Sequence, residues 1–442
     1  MRPKTLAKVV SGLLLMTLAT ACSGSSANTP AGSSSAAGSS AAAGPVTLTF
    51  WSWVPNIDKV VATWNAANPD IQVKVSKPAQ GDALVTKILA ADKAGNPPDL
   101  MQAEYQALPT LITNSVVADV TASVASAGSQ FTDAVWNQVT FGGKKYAVPQ
   151  DIGPMMFFYR ADLFKANGLT VPTTWDQYAT EAVALHKKNP AVYLGGFSAG
   201  DPGWFTGLAA QAGAKWWDYD GTNWKVGAND AASKKVADFW SGLVSQGAID
   251  SSAWWTPDWN SKLSKGTLLS WVSAVWAPGN LTGNAPNTDG KWAMAPLPQW
   301  SAGENVTGYW GGSSTAIAAK SKHQAEAAKF ALWLNTDAAG TDGLITQGAI
   351  YPASNTGQSS PALGKAPVSM APDQSDFYTR AKTISGTAKG FTWGPDVNVA
   401  YGAYNDAFGK AVQAKSPFPA ALEAIQTATV QDMKKAGFTV TP

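Results

Sequence analysis

The start of the folded region alternates between strand and helix patterns, and this alternation constrains the possible folds more than any other feature. Apolar and polar side chains alternate through residues 46–50, and apolar side chains recur at helical spacing through residues 57–64. Pro69 ends that helix, and residues 71–75 alternate again. Such a strand–helix–strand unit connects parallel strands by a right-handed crossover, so the sequence predicts an α/β fold with a parallel sheet.

The following segments continue this pattern. Residues 84–91 predict another helix and residues 100–103 another strand. Residues 146–159 are predicted to be extended chain that is interrupted at Pro149 and again at Gly153-Pro154.

Two capping boxes predict the starts of later helices, because a Ser or Thr is followed three residues later by Gln. The pairs are Thr174 with Gln177 and Ser321 with Gln324. The later helices are predicted at residues 174–186, 236–243, 321–334 and 419–435.

The N-terminus has the features of an export signal. A basic start precedes an apolar stretch at residues 9–21, which ends in small residues directly before Cys22. That stretch of about 13 residues is too short to span a hydrocarbon core of about 30 Å. It resembles a lipobox, in which the chain is cut before a diacylated cysteine, with Ala19 where that pattern prefers leucine. We expect residues 1–21 to be a lipoprotein signal peptide and Cys22 to be lipidated; the alternative is a secretion signal with an incidental cysteine.

A stretch made almost entirely of Ser, Ala and Gly follows Cys22. Such a segment cannot bury enough apolar surface to offset its ordering entropy, so residues 22–44 are expected to form a lipid-anchored flexible linker. The body from residue 45 to residue 442 is long enough for two domains. Because the chain contains one cysteine, the body is expected to rest on its hydrophobic core without disulfides.

The composition favours a carbohydrate-binding protein. A net charge of +2 gives no electrostatic reason to expect nucleic acid as a partner. The chain has 20 Trp but only 14% charged residues, and aromatic rings are suited to stacking on the apolar faces of sugars. No G-x-x-x-x-G-K-[ST] phosphate loop is present, and His186 and His323 lack partners at metal-ligand spacing. We therefore expect no cofactor and no metal.

Four stretches, in order along the chain, carry a resemblance to a known family. Through these stretches the chain is similar to the extracellular solute-binding proteins of ABC importers, in the carbohydrate-binding family that includes the maltose-binding protein. The stretches are Phe50-Trp51-Ser52-Trp53 with residues 65–71, residues 94–100, residues 142–149 continuing through 158–164 to 172–177, and residues 311–317. Together they cover nearly the whole body.

The resemblance implies a two-lobed α/β fold of the type II periplasmic-binding-protein kind. The chain would leave the first lobe near residues 150–151, return near 312–313 and cross again near 351–352. Lobe 1 would then comprise residues 45–150 and 313–352, and lobe 2 residues 151–312 and 353–442.

The implied function is binding and delivery, without enzymatic activity. A sugar, expected to be an oligosaccharide, would bind between the lobes, and the loaded protein would dock on the membrane permease of an ABC importer. The protein is expected to act as a monomer, held by its lipid on the extracytoplasmic face of a cell membrane, as on a Gram-positive surface.

Ligand sites in α/β proteins lie beyond the carboxyl ends of strands, and this rule selects residues of the first lobe. It selects Trp51, Trp53 and Asn56 after the first strand, Glu104 and Tyr105 after residues 100–103, and Asp151 at the first crossing. Carboxylates and amides suit this role because they form bidentate hydrogen bonds with neighbouring hydroxyls. The alternative for a lone carboxylate is a solvated or helix-capping role.

On the second lobe the candidates are tryptophans in loops. Trp276 corresponds to a position where the resembled family often places a stacking aromatic ring, and Trp310 and Trp393 are the next choices. Trp204 and Trp255 lie in segments rich in Gly and Pro. In contrast, the tryptophans at helical or strand spacing are predicted to be core residues, namely Trp64, Trp240, Trp271 and Trp333.

Two other functions remain open from the sequence. A surface-anchored glycoside hydrolase would also use many Trp, but it needs two carboxylates about 5–9.5 Å apart. A sugar-binding lipoprotein could also serve a sensor or adhesin instead of a transporter.

Overall fold

The computed structural model describes residues 44–441 of the chain. The predicted signal peptide, the lipidation site Cys22 and the linker up to residue 43 lie outside the described residues. Within residues 44–441, no helix combines the length and the hydropathy that a membrane crossing requires.

Strands and helices alternate through most of the described chain. The strands are β1 (Val46–Trp51), β2 (Ile71–Ser76), β3 (Leu100–Glu104), β4 (Thr140–Phe141), β5 (Lys144–Lys145), β6 (Ala147–Arg160), β7 (Trp217–Tyr219), β8 (Trp224–Val226), β9 (Ser270–Ala274), β10 (Trp292–Ala295), β11 (Tyr309–Ile317) and β12 (Val440–Thr441). The α-helices are α1 (Ile57–Ala67), α2 (Gly81–Lys93), α3 (Leu108–Thr113), α4 (Asp133–Asn137), α5 (Ala161–Asn167), α6 (Trp175–Lys188), α7 (Pro202–Gln211), α8 (Ala231–Ser245), α9 (Pro257–Lys265), α10 (Ala277–Asn284), α11 (Gln324–Thr336), α12 (Ala338–Gly348), α13 (Asn355–Gln358), α14 (Phe377–Ser385), α15 (Val397–Ala414) and α16 (Pro419–Lys435). Short 3₁₀ helices occur at Tyr105–Ala107, Ala125–Gln130, Pro286–Thr288, Pro361–Leu363 and Pro372–Gln374.

The predicted strand–helix–strand unit is confirmed. β1 and β2 pair in parallel, from Val46 opposite Ile71 to Trp51 opposite Ser76, with α1 as the connection. β3 pairs in parallel with the other edge of β1. The carboxyl ends of these strands therefore meet at one edge of the sheet, as the site prediction requires.

Of the two predicted capping boxes, one is confirmed and one is wrong. The Thr174 side chain accepts from the backbone N–H of Gln177 at 3.2 Å, and the Gln177 side chain accepts in return from the backbone of Thr174 at 3.3 Å. Ser321 instead donates to Asp99 at 2.7 Å. Because that bond fixes its side chain in the preceding loop, α11 begins later, after His323.

A seven-stranded sheet runs through the molecule in the order β10-β6-β11-β3-β1-β2, with β9 also paired to β6. The long strand β6 pairs with β11 through its first part and with β9 and β10 through its second part. The predicted interruptions of this segment are wrong, because β6 is continuous from Ala147 to Arg160. The pairing with β11 instead shifts register near Pro149 and again near Pro154, and bulges of this kind accommodate proline in a sheet.

The three segments at which the resemblance places the lobe crossings lie side by side. Asp151 of β6 pairs with Ser313 of β11. On the other side of β6, the backbone N–H of Ile152 donates to Tyr351 at 3.3 Å, and that of Ala353 donates to Gln150 at 3.0 Å. Backbone hydrogen bonds therefore join all three segments at one level of the sheet.

Many of the tryptophans are buried in the core. The number of tryptophans in the sequence is therefore weaker support for sugar binding than the composition suggested. The predicted core residues Trp64, Trp240 and Trp271 are buried, and Trp333 is half-buried against Trp64 at a centroid distance of 5.3 Å. The largest fully buried side chains include Trp175, Trp204, Trp216, Trp217, Trp240, Trp259, Trp271 and Trp292.

The contact between α7 and β11 depends on two glycines. A Cβ at Gly308 would lie 2.0 Å from the carbonyl oxygen of Gly207. We expect Gly308→Ala to lower the free energy of unfolding by about 1–3 kcal/mol, the usual cost of overpacking. Gly242 of α8 is the matched control, because a Cβ there meets nothing within 4 Å, and Gly242→Ala should stabilise the helix by about 0.5–1 kcal/mol. Urea unfolding of both variants checks this, and equal stabilities would contradict the packing described.

Candidate ligand-binding site

A cavity of about 730 Å³ opens at the level of the three crossing segments, within the usual range of about 300–1,000 Å³ for small-molecule sites. It is reached by the loop after β1, the end of β3, the middle of β6 and β11, and the starts of α7, α10 and α15. Its lining includes Trp53, Gln80, Glu104, Gln106, Asp151, Asp201, Gly203, Trp255, Trp276, Asn280, Tyr309, Trp310, Gly311, Gly312, Ser313, Trp393, Asn398, Tyr401 and Asn405.

Seven of the eleven predicted ligand contacts line this cavity. They are Trp53, Glu104, Asp151, Trp255, Trp276, Trp310 and Trp393. Trp53 and Glu104 lie at the carboxyl ends of β1 and β3, where the strand rule placed them.

Two of the other four lie beneath the surface. Trp204 is fully buried, and its indole N–H donates to the carbonyl of Val272 at 2.9 Å, because the side chain sits on the inward face of α7. Tyr105 is also buried, and its hydroxyl donates to the backbone carbonyl of Asp151 at 2.8 Å. Gly312 lies against the Tyr105 ring, where a Cβ would approach to 2.7 Å. Neither side chain is in the cavity lining, so their selection as ligand contacts is corrected.

The remaining two are placed outside the lining by the local course of the chain. Trp51 is still part of β1, paired with Ser76 and Met101, so it stops short of the loop that reaches the cavity. Asn56 is exposed on the start of α1, and its amide donates to the carbonyl of Gln347 at 3.1 Å. This bond ties α1 to α12 and directs the Asn56 side chain to that contact.

Trp255, Trp276 and Trp310 form one aromatic cup, the name used below for these three rings. Trp276 and Trp310 meet edge to face, with centroids 4.6 Å apart and planes at 67°. Trp255 lies 6.1 Å from each of them. Trp271 packs behind all three, at 5.6 Å, 5.7 Å and 6.1 Å. Because their planes are inclined, the three rings form a concave surface and not a flat platform.

A bulge in β11 carries Trp310 into the cup. The register with β6 shifts between Tyr309 opposite Pro154 and Gly312 opposite Ile152, which leaves an extra residue on β11. Gly311 and Gly312 have φ of 75° and 109°, conformations that favour glycine. The bulge also frees the carbonyl of Trp310, which accepts the indole N–H of Trp276 at 3.0 Å.

Four of the five tryptophans that line the cavity donate their indole N–H groups inside the protein. Those of Trp255 and Trp310 donate to Asp201, and that of Trp393 donates to Gln138 at 2.9 Å. With Trp276 also bonded, these four rings offer the ligand their faces and edges. The carboxylates, amides and hydroxyls of the lining are the further groups that can form hydrogen bonds with a ligand.

Asp151 is linked by hydrogen bonds to the loop that carries Trp53. Its carboxylate accepts from the Ser313 hydroxyl, which itself accepts from the Gln102 amide at 2.9 Å. Gln102 then accepts the backbone N–H of Trp53 at 3.1 Å. Burial raises the pKa of Asp151 from 3.8 to about 6, although the hydrogen bonds from Ser313 oppose this. The carboxylate is therefore fixed in position and poorly hydrated, so a ligand hydroxyl is a favourable partner.

Sequence reasoning missed Asp201 and the polar face of α15. Asp201 is the N-cap of α7, and the order Asp201-Pro202 before a helix is itself a start signal that could have drawn attention to it. Asn398, Tyr401 and Asn405 recur at helical spacing, which the sequence also displays, but nothing in it says which direction that face points.

The described residues of the cavity lining include no Lys, Arg or His, whereas Glu104, Asp151 and Asp201 are acidic. Gln106 donates to Glu104 at 2.8 Å. No group of three or more His, Cys, Asp or Glu suited to a metal ion occurs in residues 44–441. The site is thus chemically suited to a neutral, hydroxyl-rich ligand.

Comparison with known proteins identifies the family of the chain. The family model described as bacterial extracellular solute-binding protein matches residues 51–341. The chain belongs to this family. It is 22% identical over 334 residues to the arabinooligosaccharide-binding protein of Bacillus subtilis. This match covers 72% of this chain and 73% of that protein.

Solved structures confirm the fold. The galacto-N-biose-/lacto-N-biose I-binding protein of the ABC transporter from Bifidobacterium longum, in complex with lacto-N-biose, matches with a TM-score of 0.82 and 28% identity, covering 90% of this chain and 100% of that one. A binding protein associated with an ABC transporter of B. animalis subsp. lactis, in complex with β-1,6-galactobiose, gives 0.78 and 25%, with 90% and 99% covered. This solute-binding protein therefore has the predicted two-lobed α/β fold of type II.

The raised pKa of Asp151 predicts a pH dependence of stability. Because the folded-state pKa of about 6 exceeds the ordinary 3.8, the folded protein binds a proton that the unfolded chain does not bind between these values. The resulting stability is complete below the unfolded pKa and is lost as the pH rises through about 6. Relative to Asp151→Asn, the native protein should gain about 1 kcal/mol in free energy of unfolding from about pH 7.5 to about pH 5.

Urea unfolding of both proteins at the two pH values measures this difference, since the other titrating groups are common to both and cancel. A constant difference between native and variant protein would show that the Asp151 carboxylate is not buried as described.

Proposed function

We propose that this protein captures a neutral sugar, preferably an oligosaccharide, in the cavity and delivers it to the permease of an ABC importer. The observation that carries the proposal is the aromatic cup, set beside fixed carboxylates and amides in a lining whose described residues include no cation. Sugars have apolar ring faces and hydroxyl edges, and these two kinds of surface match the two kinds of group.

The similar proteins support this class of ligand. The Bacillus relative is named for arabinooligosaccharides, and the two bifidobacterial proteins are complexed with the disaccharides lacto-N-biose and β-1,6-galactobiose. All three are binding proteins, and two of them are associated with ABC transporters. We therefore propose import and no catalysis for this chain.

The charge of the lining argues against an acidic sugar. A phosphate or carboxylate on the ligand would be brought near Glu104, Asp151 and Asp201 without a Lys or Arg among the described lining residues to compensate it. Like charges at close range in a partly desolvated site are strongly unfavourable. The proposed ligand is thus uncharged.

We further propose that the two lobes are residues 45–150 with 313–352 and residues 151–312 with 353–442, and that they close around the sugar. Trp53 and Glu104 belong to the first set, and Trp255 and Trp276 to the second, so closure would bring both sets against one ligand. The paired crossing segments at 150–153, 312–313 and 351–353 are suited to a hinge.

We also propose that Cys22 carries a lipid that anchors the protein on the outer face of the cell membrane. Support comes from the sequence alone, namely the apolar stretch before Cys22 and the Ser/Ala/Gly-rich stretch after it. An anchored monomeric receptor stays close to its permease, where a free one would diffuse away from a cell without an outer membrane.

Calorimetric titration of the mature protein with neutral di- to tetrasaccharides tests the proposal. At least one should bind, whereas glucose 6-phosphate and glucuronate should not. If no neutral sugar binds, or if the sugar is returned hydrolysed, the proposed function is wrong.

Replacing Trp276 by Ala should weaken binding of that sugar about 30-fold or more, because truncation of a central aromatic contact costs about 2 kcal/mol or more. Trp224→Ala is the matched control, since Trp224 is partly buried against Tyr219 on the β7–β8 hairpin and does not line the cavity. It should leave the dissociation constant unchanged. Equal effects of the two replacements would argue against a ligand in the aromatic cup.

A further inference from the structure

Asp201 connects two of the three rings of the aromatic cup. One carboxylate oxygen accepts the indole N–H of Trp255 at 3.1 Å, and the other accepts that of Trp310 at 3.1 Å. The two tryptophans lie 54 and 109 residues away along the chain. A single carboxylate therefore sets the position of two rings that the chain itself does not bring together.

The carboxylate is held by a rigid element. Asp201 is the N-cap of α7 and also accepts the backbone N–H of Trp204 at 3.3 Å. α7 in turn lies directly on β11, where Gly207 and Gly308 leave no space between the backbones. Because β11 also carries Trp310, Asp201 and the Trp310 indole that donates to it are both held by the packing of α7 against β11.

Trp255 is the ring that most requires such a restraint. Its φ is +63°, a left-handed conformation that is unusual for a bulky residue, and its side chain is 47% exposed. Strained backbone of this kind occurs at ligand sites where surrounding contacts hold it in place. The hydrogen bond to Asp201 is the polar contact that the structure gives to this ring.

Packing alone does not demand an acceptor for a tryptophan at this place. The indole N–H groups of Trp254, Trp259 and Trp271, which pack behind the cup, have no acceptor among the described residues. The two bonds to Asp201 instead belong to rings that line the cavity. We therefore infer that the hydrogen bonds to Asp201 orient the rings of Trp255 and Trp310, and that they are not needed merely to give buried indole N–H groups an acceptor.

We propose that Asp201 is a positioning residue that fixes the planes of Trp255 and Trp310, now 51° apart, and thereby determines which sugars fit the aromatic cup. This inference rests on the proposed sugar-binding function. It assigns to Asp201 an action through the two indoles and not through a direct bond to the sugar.

A double-mutant cycle tests this assignment. Asp201→Asn keeps the shape and the helix cap but offers one acceptor oxygen in place of two, so one indole loses its partner. We expect it to weaken binding of the sugar found by calorimetry about tenfold, and to narrow the difference in affinity between that sugar and its epimers. In a Trp255→Phe/Trp310→Phe background, which keeps two aromatic rings but removes both indole donors, the same replacement should change affinity less than about twofold.

Two further variants guard against a merely structural effect. Asp230→Asn is the matched control: Asp230 caps α8 by accepting the backbone N–H of Ser233, also accepts the backbone N–H of Lys215, and lies outside the cavity lining. It should leave affinity unchanged. Asp201→Ser keeps a capping oxygen but withdraws both indole acceptors, and should weaken binding at least as much as Asp201→Asn with a similar melting temperature.

Indole N–H resonances supply a readout that needs no ligand. Those of Trp255 and Trp310, assigned by the Phe variants, should both shift in Asp201→Asn, because one indole loses its acceptor and the other donates to a neutral amide oxygen in place of a carboxylate. Both should remain in place in Asp230→Asn. Resonances that do not move would overturn the inference.

The binding outcomes separate the two hypotheses. If the native protein binds no sugar, the proposed function fails and this inference fails with it. If it binds sugar but Asp201→Asn binds equally well, this inference alone is wrong. An undiminished loss in the Phe background would show that Asp201 contacts the sugar directly, which also overturns the positioning role.

Discussion

The binding site depends on the close approach of β6 and β11 at Gly153 and Trp310. A Cβ at Gly153 would lie 2.0 Å from the Trp310 carbonyl oxygen, so the two backbones can meet only because that residue is glycine. The approach permits the bulge that carries Trp310 into the cavity and presents its carbonyl to Trp276. β6 also pairs with β9 and β10, and β11 also pairs with β3. The contact between β6 and β11 therefore joins these strands into one sheet and also builds the aromatic cup.

Tryptophan has two distinct roles in this molecule: some rings fill the core and others line the cavity. Core rings do not depend on an acceptor: Trp204 has one, whereas the indole N–H groups of the buried Trp240 and Trp271 find none in the described part of the chain. Trp276 and Trp310, in contrast, are held by specific acceptors. A core ring needs only close packing, because any rotation is blocked by its neighbours. A ring with one free face lacks that restraint, and a hydrogen bond replaces it.

The fold could be predicted from the sequence because the spacing of apolar residues along the chain locates its strands and helices. The alternation at β1 and β2 and the apolar spacing of α1 locate the parallel sheet, and with it the edge where Trp53 and Glu104 reach the cavity. The same reasoning misplaced Trp204, since a tryptophan near Gly and Pro looks the same in sequence whether its helix turns it inward or outward. Asp201 escaped notice for a related reason: its partners are distant in the chain, and no local pattern records a tertiary hydrogen bond.

The carboxylates of the site link this geometry to the kind of ligand it can hold. Burial raises the pKa of Asp151 and of Asp201 to about 6 each, so each ionised group carries an unfavourable desolvation term. Hydroxyl donors relieve that term: Ser313 already does so for Asp151, and ligand hydroxyls can add to it. An anionic ligand would increase the same term, and an apolar one would leave it unrelieved. A neutral polyol with apolar faces matches both Asp151 and the aromatic cup, so a lining this acidic is compatible with binding of an uncharged sugar.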